Sequence, residues 1–141
     1  MWRKTSILAI AGAIGFWLAN FAISLTPIAA EYRAALSISY FPMLLEALLG
    51  GLIIGFFVSY FLIRFFDRIP TRDPVLKSVM LSVVVLITVT LLIEVPAKFL
   101  DTTSDALRYF LLGAVFNGLR FLTLGAVIGY LYGRLNGRVR T

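Results

Sequence analysis

The sequence contains no cysteine and no histidine. Without cysteine the chain cannot form a disulfide, offer a thiolate nucleophile or hold an iron–sulfur cluster. Without histidine it lacks the commonest general base and the usual ligand of haem and zinc. We therefore expect no cofactor, no metal site and no catalytic residue in this chain, and hence no enzymatic activity.

Charged residues are scarce as well. They make up 14% of the chain, whereas hydrophobic residues make up 60%, and the mean hydropathy is +0.95. Soluble domains have about 25% charged residues and fewer than half apolar ones. A chain of 141 residues with this composition has room for one membrane domain and for no sizeable soluble domain. The composition predicts an integral membrane protein that is surrounded by the lipid bilayer.

The net charge of +6 does not indicate a nucleic-acid partner. A nucleic-acid surface places its basic residues in a continuous patch or stripe. Here the basic residues lie at the ends of apolar runs, where they can contact anionic lipid headgroups. We therefore expect membrane anchoring and no binding of nucleic acid.

Four apolar runs divide the whole chain, residues 1–141, into spans and short connections. The spans are predicted at residues 6–26, 43–64, 75–95 and 107–133, and each is close to the ~20 residues that a membrane helix needs. Because the connections are short, successive helices should be antiparallel neighbours. The expected fold is an all-α, four-transmembrane-helix bundle with up-down-up-down topology.

Local signals support three of the helix boundaries. Asp73 followed by Pro74 is typical of a helix start, and residues 102–105 have the spacing of a capping box. Pro96 should end or kink the third span, because proline lacks a backbone N–H. In the first connection, residues 29–36 are compatible with a short interfacial helix.

The orientation follows from the basic residues beside the spans. Cytoplasmic loops are enriched in Lys and Arg. Only Arg33, Lys98 and Arg108 flank the spans on one side. Nine flank them on the other: Arg3, Lys4, Arg64, Arg68, Arg72, Lys77, Arg134, Arg138 and Arg140. We therefore expect both termini and the loop of residues 65–74 in the cytoplasm, with residues 27–42 and 96–106 outside. The expected location is a prokaryotic inner or plasma membrane.

Two spans carry the same spacing of small residues. These two small-residue seams are Gly51, Gly55 and Ser59 in the second span, and Gly125, Gly129 and Gly133 in the fourth. Small residues four apart allow membrane helices to approach closely, so both seams are predicted helix-packing sites. A charge stands five residues before each seam, at Glu46 and at Arg120. This similarity suggests a weak internal repeat of two parallel halves.

Three ionisable residues lie within or at the margins of the spans: Glu46, Glu94 and Arg120, with Asn117 one turn before Arg120. Counting ~1.5 Å per residue from the basic anchors places all three charges in the outer half of the bilayer. We expect Arg120 to pair with Glu94, with Glu46 as the competing partner. Intramembrane charges are costly and often functional. The cluster is either a binding or relay site for an ion, proton or small anion, or an ion pair that fixes helix register.

The small size, the small-residue seams and the missing nucleophiles favour a non-catalytic accessory or scaffold subunit of a larger membrane complex. The alternative is a small transporter or channel that works as a homo-oligomer and uses the Glu/Arg cluster, since four spans are too few for a roomy pore in one chain. Other membrane subunits are the expected partners under the first hypothesis, and self-association is expected under the second.

Overall fold

The computed structural model describes residues 2–99 and 105–137. Within these residues the chain is helical and contains no strand. The longer helices are α1 (Trp2–Ser24), α3 (Tyr40–Arg64), α4 (Pro74–Val89) and α6 (Ala106–Gly137), and the shorter ones are α2 (Pro27–Ala35) and α5 (Val95–Phe99). A 3₁₀ turn, Phe66–Arg68, precedes α4, and a π-helix, Thr90–Glu94, joins α4 to α5. The predicted capping box at residues 102–105 lies almost wholly outside the described residues.

Four helices are long and apolar enough to cross a membrane: Trp2–Ser24, Tyr40–Arg64, Pro74–Ala97 and Ala106–Leu135. They contain 23 to 30 residues, which corresponds to about 35 to 45 Å of helix against a hydrocarbon core of about 30 Å. The prediction of an all-helical protein with four candidate membrane spans is thus confirmed. The fourth helix extends slightly beyond the predicted span at both ends.

Two helix starts have the same local cause. The Asp73 side chain accepts a 3.0 Å hydrogen bond from the backbone N–H of Val75, and Pro74 occupies the first helical position of α4. At α2, the Thr26 hydroxyl accepts a 3.2 Å hydrogen bond from the backbone N–H of Ala29. An N-cap oxygen satisfies an amide that the helix leaves unpaired, which is why such residues begin helices. The predicted start of α4 at Asp73 and Pro74 is therefore confirmed.

Pro96 changes the hydrogen bonding of the third span without ending it. The helix widens to the π form over Thr90–Glu94, where the N–H of Val95 bonds to the carbonyl of Thr90, and then continues to Phe99. Because Pro96 has no N–H, it cannot bond to the carbonyl four residues before it. The π segment lies directly before this missing backbone hydrogen bond. It rotates the Glu94 side chain about the helix axis relative to its position in a regular α-helix.

The small-residue seam of α3 faces α1. A methyl group added to Gly55 would lie 2.8 Å from the carbonyl oxygen of Ala9, and one added to Gly51 would lie 3.3 Å from the Cα atom of Ala13. Gly51 lies against Ala13 and Gly55 lies against Ala9, so residue numbers increase in opposite directions along the two helices. α1 and α3 are therefore antiparallel. Ser59, the last residue of this seam, is fully buried.

The seam of α6 faces α4 in the same way. An added methyl group at Gly125 would lie 3.1 Å from the Cα atom of Val79, and one at Gly129 would lie 2.6 Å from the Cα atom of Val75. Gly133 has more space, with Pro74 at 3.7 Å. Each seam thus packs on the preceding long helix, and the two seams do not face each other.

α1 and α6 form the central pair of the fold. In the most apolar 18-residue window of each long helix, 33% of the residues are buried in α1 and in α6. The corresponding figures are 22% in α3 and 11% in the third span, Pro74–Ala97. Phe16 of α1 meets Phe121 of α6 edge-to-face, with 5.6 Å between the ring centroids. Leu124 and Ile128 of α6 are fully buried in the same core. α4 therefore leaves most of its surface for lipid or for another protein.

Candidate functional site

The four polar residues that the sequence singles out line one cavity of about 290 Å³. Arg120 and Asn117 reach it from α6, Glu94 from the π-helix and Glu46 from α3. The C-terminal end of α1 and the short helix α2 complete the wall. The chain therefore brings together residues that lie far apart in the sequence.

The guanidinium of Arg120 is held by neutral oxygens. Its Nη1 donates to Oδ1 of Asn20 at 2.7 Å and its Nη2 donates to Oδ1 of Asn117 at 2.5 Å. Its Nε donates to the backbone carbonyl of Phe116 at 3.3 Å. The ring of Phe16 lies 5.7 Å from the guanidinium carbon, a cation–π distance. These contacts fix the position of the charge without neutralising it.

Glu94 lies on the same cavity, and its carboxylate interacts favourably with the charge of Arg120. The direct hydrogen bonds of Arg120 that the structure describes go to amide and carbonyl oxygens. The ion pair between Glu94 and Arg120 stays a prediction, as does the competing pair with Glu46.

Glu46 lies on the first turns of α3, lines the cavity and is exposed at the surface. α3 packs mainly on α1. Glu46 thus reaches the cavity from α3, and Glu94 reaches it from the π-helix.

Asn20 is the most important site residue that the sequence analysis did not select. It is only 3% exposed, and its Nδ2 has no hydrogen-bond partner among the described residues. A buried donor without a partner costs about 1–3 kcal/mol, so such groups usually meet water or a ligand. The available signal was an asparagine near the C-terminal end of the first apolar run.

α2 contributes three residues to the cavity wall, Ala29, Tyr32 and Arg33. Tyr32 lines the cavity and packs edge-to-face on Phe116, with 5.4 Å between the ring centroids. Glu31 of α2 pairs with Arg108 of α6 at 2.6 Å, a half-exposed ion pair. Arg33 adds a second cation to the cavity wall and donates to the carbonyl of Ser24 at 3.3 Å.

A buried lysine, Lys77, lies at the other end of the helices. Lys77 is only 5% exposed, and its Nζ donates a short hydrogen bond to the carbonyl of Phe66. The same Nζ lies 3.6 Å from the centre of the Phe66 ring, which stacks on Tyr132 at 4.7 Å. The sequence identified Lys77 only as a membrane anchor. Its contacts connect the 3₁₀ turn, α4 and α6, and they serve packing.

Comparison of the chain with protein-family models, with curated proteins and with solved structures finds no match. The chemistry of the cavity is nevertheless specific. Two arginines and a buried amide provide hydrogen-bond donors, and two glutamates provide acceptors. Such a wall can bind and orient a small polar molecule.

Proposed function

We propose that the chain is a multi-pass protein of a prokaryotic inner or plasma membrane, with both termini in the cytoplasm. In this role it is a non-catalytic subunit of a larger membrane complex, and its cavity binds a small polar ligand from the outer side. The excess of basic residues beside the predicted cytoplasmic ends supports the orientation.

One observation carries the ligand-binding role. Arg120, Glu94 and Glu46 come from three different elements and converge on one cavity, beside the unpartnered amide nitrogen of Asn20. Charges within membrane spans are costly, and they mark functional sites in most membrane proteins. A pair that only fixed helix register would not need a cavity of about 290 Å³ between its members.

The side chains that pack between the cavity and the proposed cytoplasmic side favour ligand binding over transport of the ligand through a single chain. Phe16 lies one turn inward of Asn20 on α1, and Phe121 and Leu124 follow Arg120 on α6; all three are buried. These side chains fill the space between the central helices. The cavity of a single chain is thus closed on its inner side.

The third span has the outward apolar surface that a subunit role requires. Val84, Ile87 and Leu91 are all more than half exposed along it, as lipid-facing residues also are. The tagged protein should be purified in mild detergent from its native membrane and its mass measured by native mass spectrometry. We expect a discrete heteromeric assembly. A homogeneous homo-oligomer that is stable by itself would contradict the subunit role.

The alternative function, a homo-oligomeric transporter or channel, has one observation in its favour. The π-helix and Pro96 lie beside the cavity, and π segments and broken helices occur frequently at the sites of transporters. Flux into proteoliposomes should be compared between the wild type and Arg120→Ala. Flux that requires Arg120 would support this function over the subunit role.

A further inference from the structure

Hydrogen-bond donors of the cavity wall come from α1, α2 and α6. The guanidinium of Arg120 has more N–H groups than its three described hydrogen bonds use. The buried Nδ2 of Asn20 adds N–H groups that have no described partner. The Oδ1 of Asn20 accepts from Arg120, so the Nδ2 points away from that cation. This wall is suited to an oxyanion.

The carboxylates of the cavity wall come from two other elements. They are Glu46 of α3 and Glu94 of the π-helix. Carboxylates accept hydrogen bonds and attract cations, so they suit an ammonium group. The cavity wall therefore has groups that attract each sign of charge.

The charges of the cavity wall balance. Arg33 and Arg120 oppose Glu46 and Glu94, so the formal sum is zero. A simple anion would approach two carboxylates, and a simple cation would approach two guanidinium groups. A molecule that carries both charges meets an opposite charge at each end.

We propose that the cavity binds a small amine–phosphate zwitterion, with the phosphate on Arg120 and Asn20 and the ammonium between Glu46 and Glu94. This proposal rests on the ligand-binding role proposed above. A phosphate fits better than a carboxylate because Arg120, Asn20 and Arg33 together present more N–H groups than one carboxylate can accept.

Size limits the choice of zwitterion. A volume of about 290 Å³ lies just below the about 300–1,000 Å³ of small-molecule sites. A compact zwitterion such as phosphoethanolamine fits into this volume. The group could arrive as an aminophospholipid headgroup from the bilayer or as a free solute.

The test uses the full chain, delipidated in mild detergent, and isothermal titration calorimetry. The probes are dihexanoyl phosphatidylethanolamine, dihexanoyl phosphatidylglycerol and free phosphoethanolamine. We expect the ethanolamine lipid to bind at least about tenfold more tightly than the glycerol lipid, which lacks the ammonium. If free phosphoethanolamine binds as tightly as the lipid, the natural ligand is a solute. If the lipid binds more tightly, the natural ligand is a lipid headgroup.

Glu46→Gln removes one carboxylate from the cavity wall. We expect the preference for ethanolamine over glycerol to fall by about tenfold, because the ammonium loses a charged partner. Glu94→Gln provides a second, independent variant. Asp105→Asn is the matched control: it removes a carboxylate outside the cavity, and asparagine tolerates the φ of 57° at this position. It should leave the preference unchanged, and circular dichroism checks that each variant is folded.

The outcomes separate the two proposals. Two results would overturn the zwitterion proposal and leave the polar-ligand role intact. One is equal binding of the two lipids by the wild type. The other is an unchanged preference in folded Glu46→Gln and Glu94→Gln. No binding of any probe by folded wild type at millimolar concentration overturns both.

Discussion

Arg120 on α6 donates a 2.7 Å hydrogen bond from Nη1 to Oδ1 of Asn20 on α1, which lies 100 positions earlier in the chain. The guanidinium is only a donor, so the amide must present its oxygen to it and turn its Nδ2 elsewhere. One contact thus joins the two central helices and sets the direction of the buried Nδ2, which has no described partner.

This hydrogen bond should be measurable as a coupling free energy. In a double-mutant cycle with Asn20→Ala and Arg120→Met, we expect coupling of about 1 kcal/mol, near the values found for polar contacts between membrane helices. Reversible unfolding in mixed detergent micelles measures it. Asn20→Ala with Lys77→Met is the control cycle, because Lys77 bonds to Phe66 at the other end of the helices and shares no partner with Asn20 among the described hydrogen bonds. Additive effects in the Asn20/Arg120 cycle would contradict the prediction.

The glycines of the seams should differ sharply from other glycines in the same helices. In Gly55→Ala the new methyl group would meet the carbonyl oxygen of Ala9 at 2.8 Å, so the helices must separate. We expect this variant and Gly129→Ala to lose about 1–3 kcal/mol of unfolding free energy. The controls are Gly50→Ala and Gly118→Ala, where nothing lies within 4 Å of the added carbon.

The control variants should be neutral or slightly more stable, since alanine favours a helix over glycine by about 0.5–1 kcal/mol. Thermal unfolding followed by circular dichroism in detergent gives all four values. Equal effects at Gly55 and Gly50 would show that helix propensity, and not close approach, determines the cost.

Lys77 should stabilise the fold through its amine. Lys77→Met keeps the apolar stem but removes the charged donor, which leaves the carbonyl of Phe66 without this hydrogen bond. We expect a loss of about 1–3 kcal/mol in unfolding free energy. Arg72→Met is the control, because Arg72 is an exposed cation at the same end of the helices. Similar effects of the two substitutions would argue against a specific role for Lys77.

The proposed orientation can be tested with single cysteines, because the natural chain has none. Ser39→Cys lies in the connection before α3, and Asp67→Cys lies in the turn before α4; both positions are exposed. We expect a membrane-impermeant maleimide to label the first in intact cells and the second only after permeabilisation. The opposite labelling pattern would show that the topology is the reverse of the proposed one. Labelling of both cysteines in intact cells would show that α3 does not cross the membrane.

Some features of this protein depend only on neighbouring residues. Asp73 and Pro74 start α4 because an N-cap side chain reaches an amide two residues away. The apolar runs become helices because a bilayer leaves an isolated segment no other way to pair its backbone. The selection of Arg120, Glu94, Glu46 and Asn117 from the sequence was possible because polar residues in apolar runs are rare, and because helical rise fixes their depth.

Other features were decided by the tertiary structure alone. The sequence places Gly55 and Gly129 in seams, but their contacts with Ala9 and Val75 depend on how each helix is rotated about its axis. The same rotation turns Asn20 toward Arg120, and the docking of the 3₁₀ turn on α4 buries Lys77. Rotation and neighbour choice result from the packing of all the helices together. Length and composition set the number and depth of the spans, whereas only the packed structure sets which side chains share the cavity.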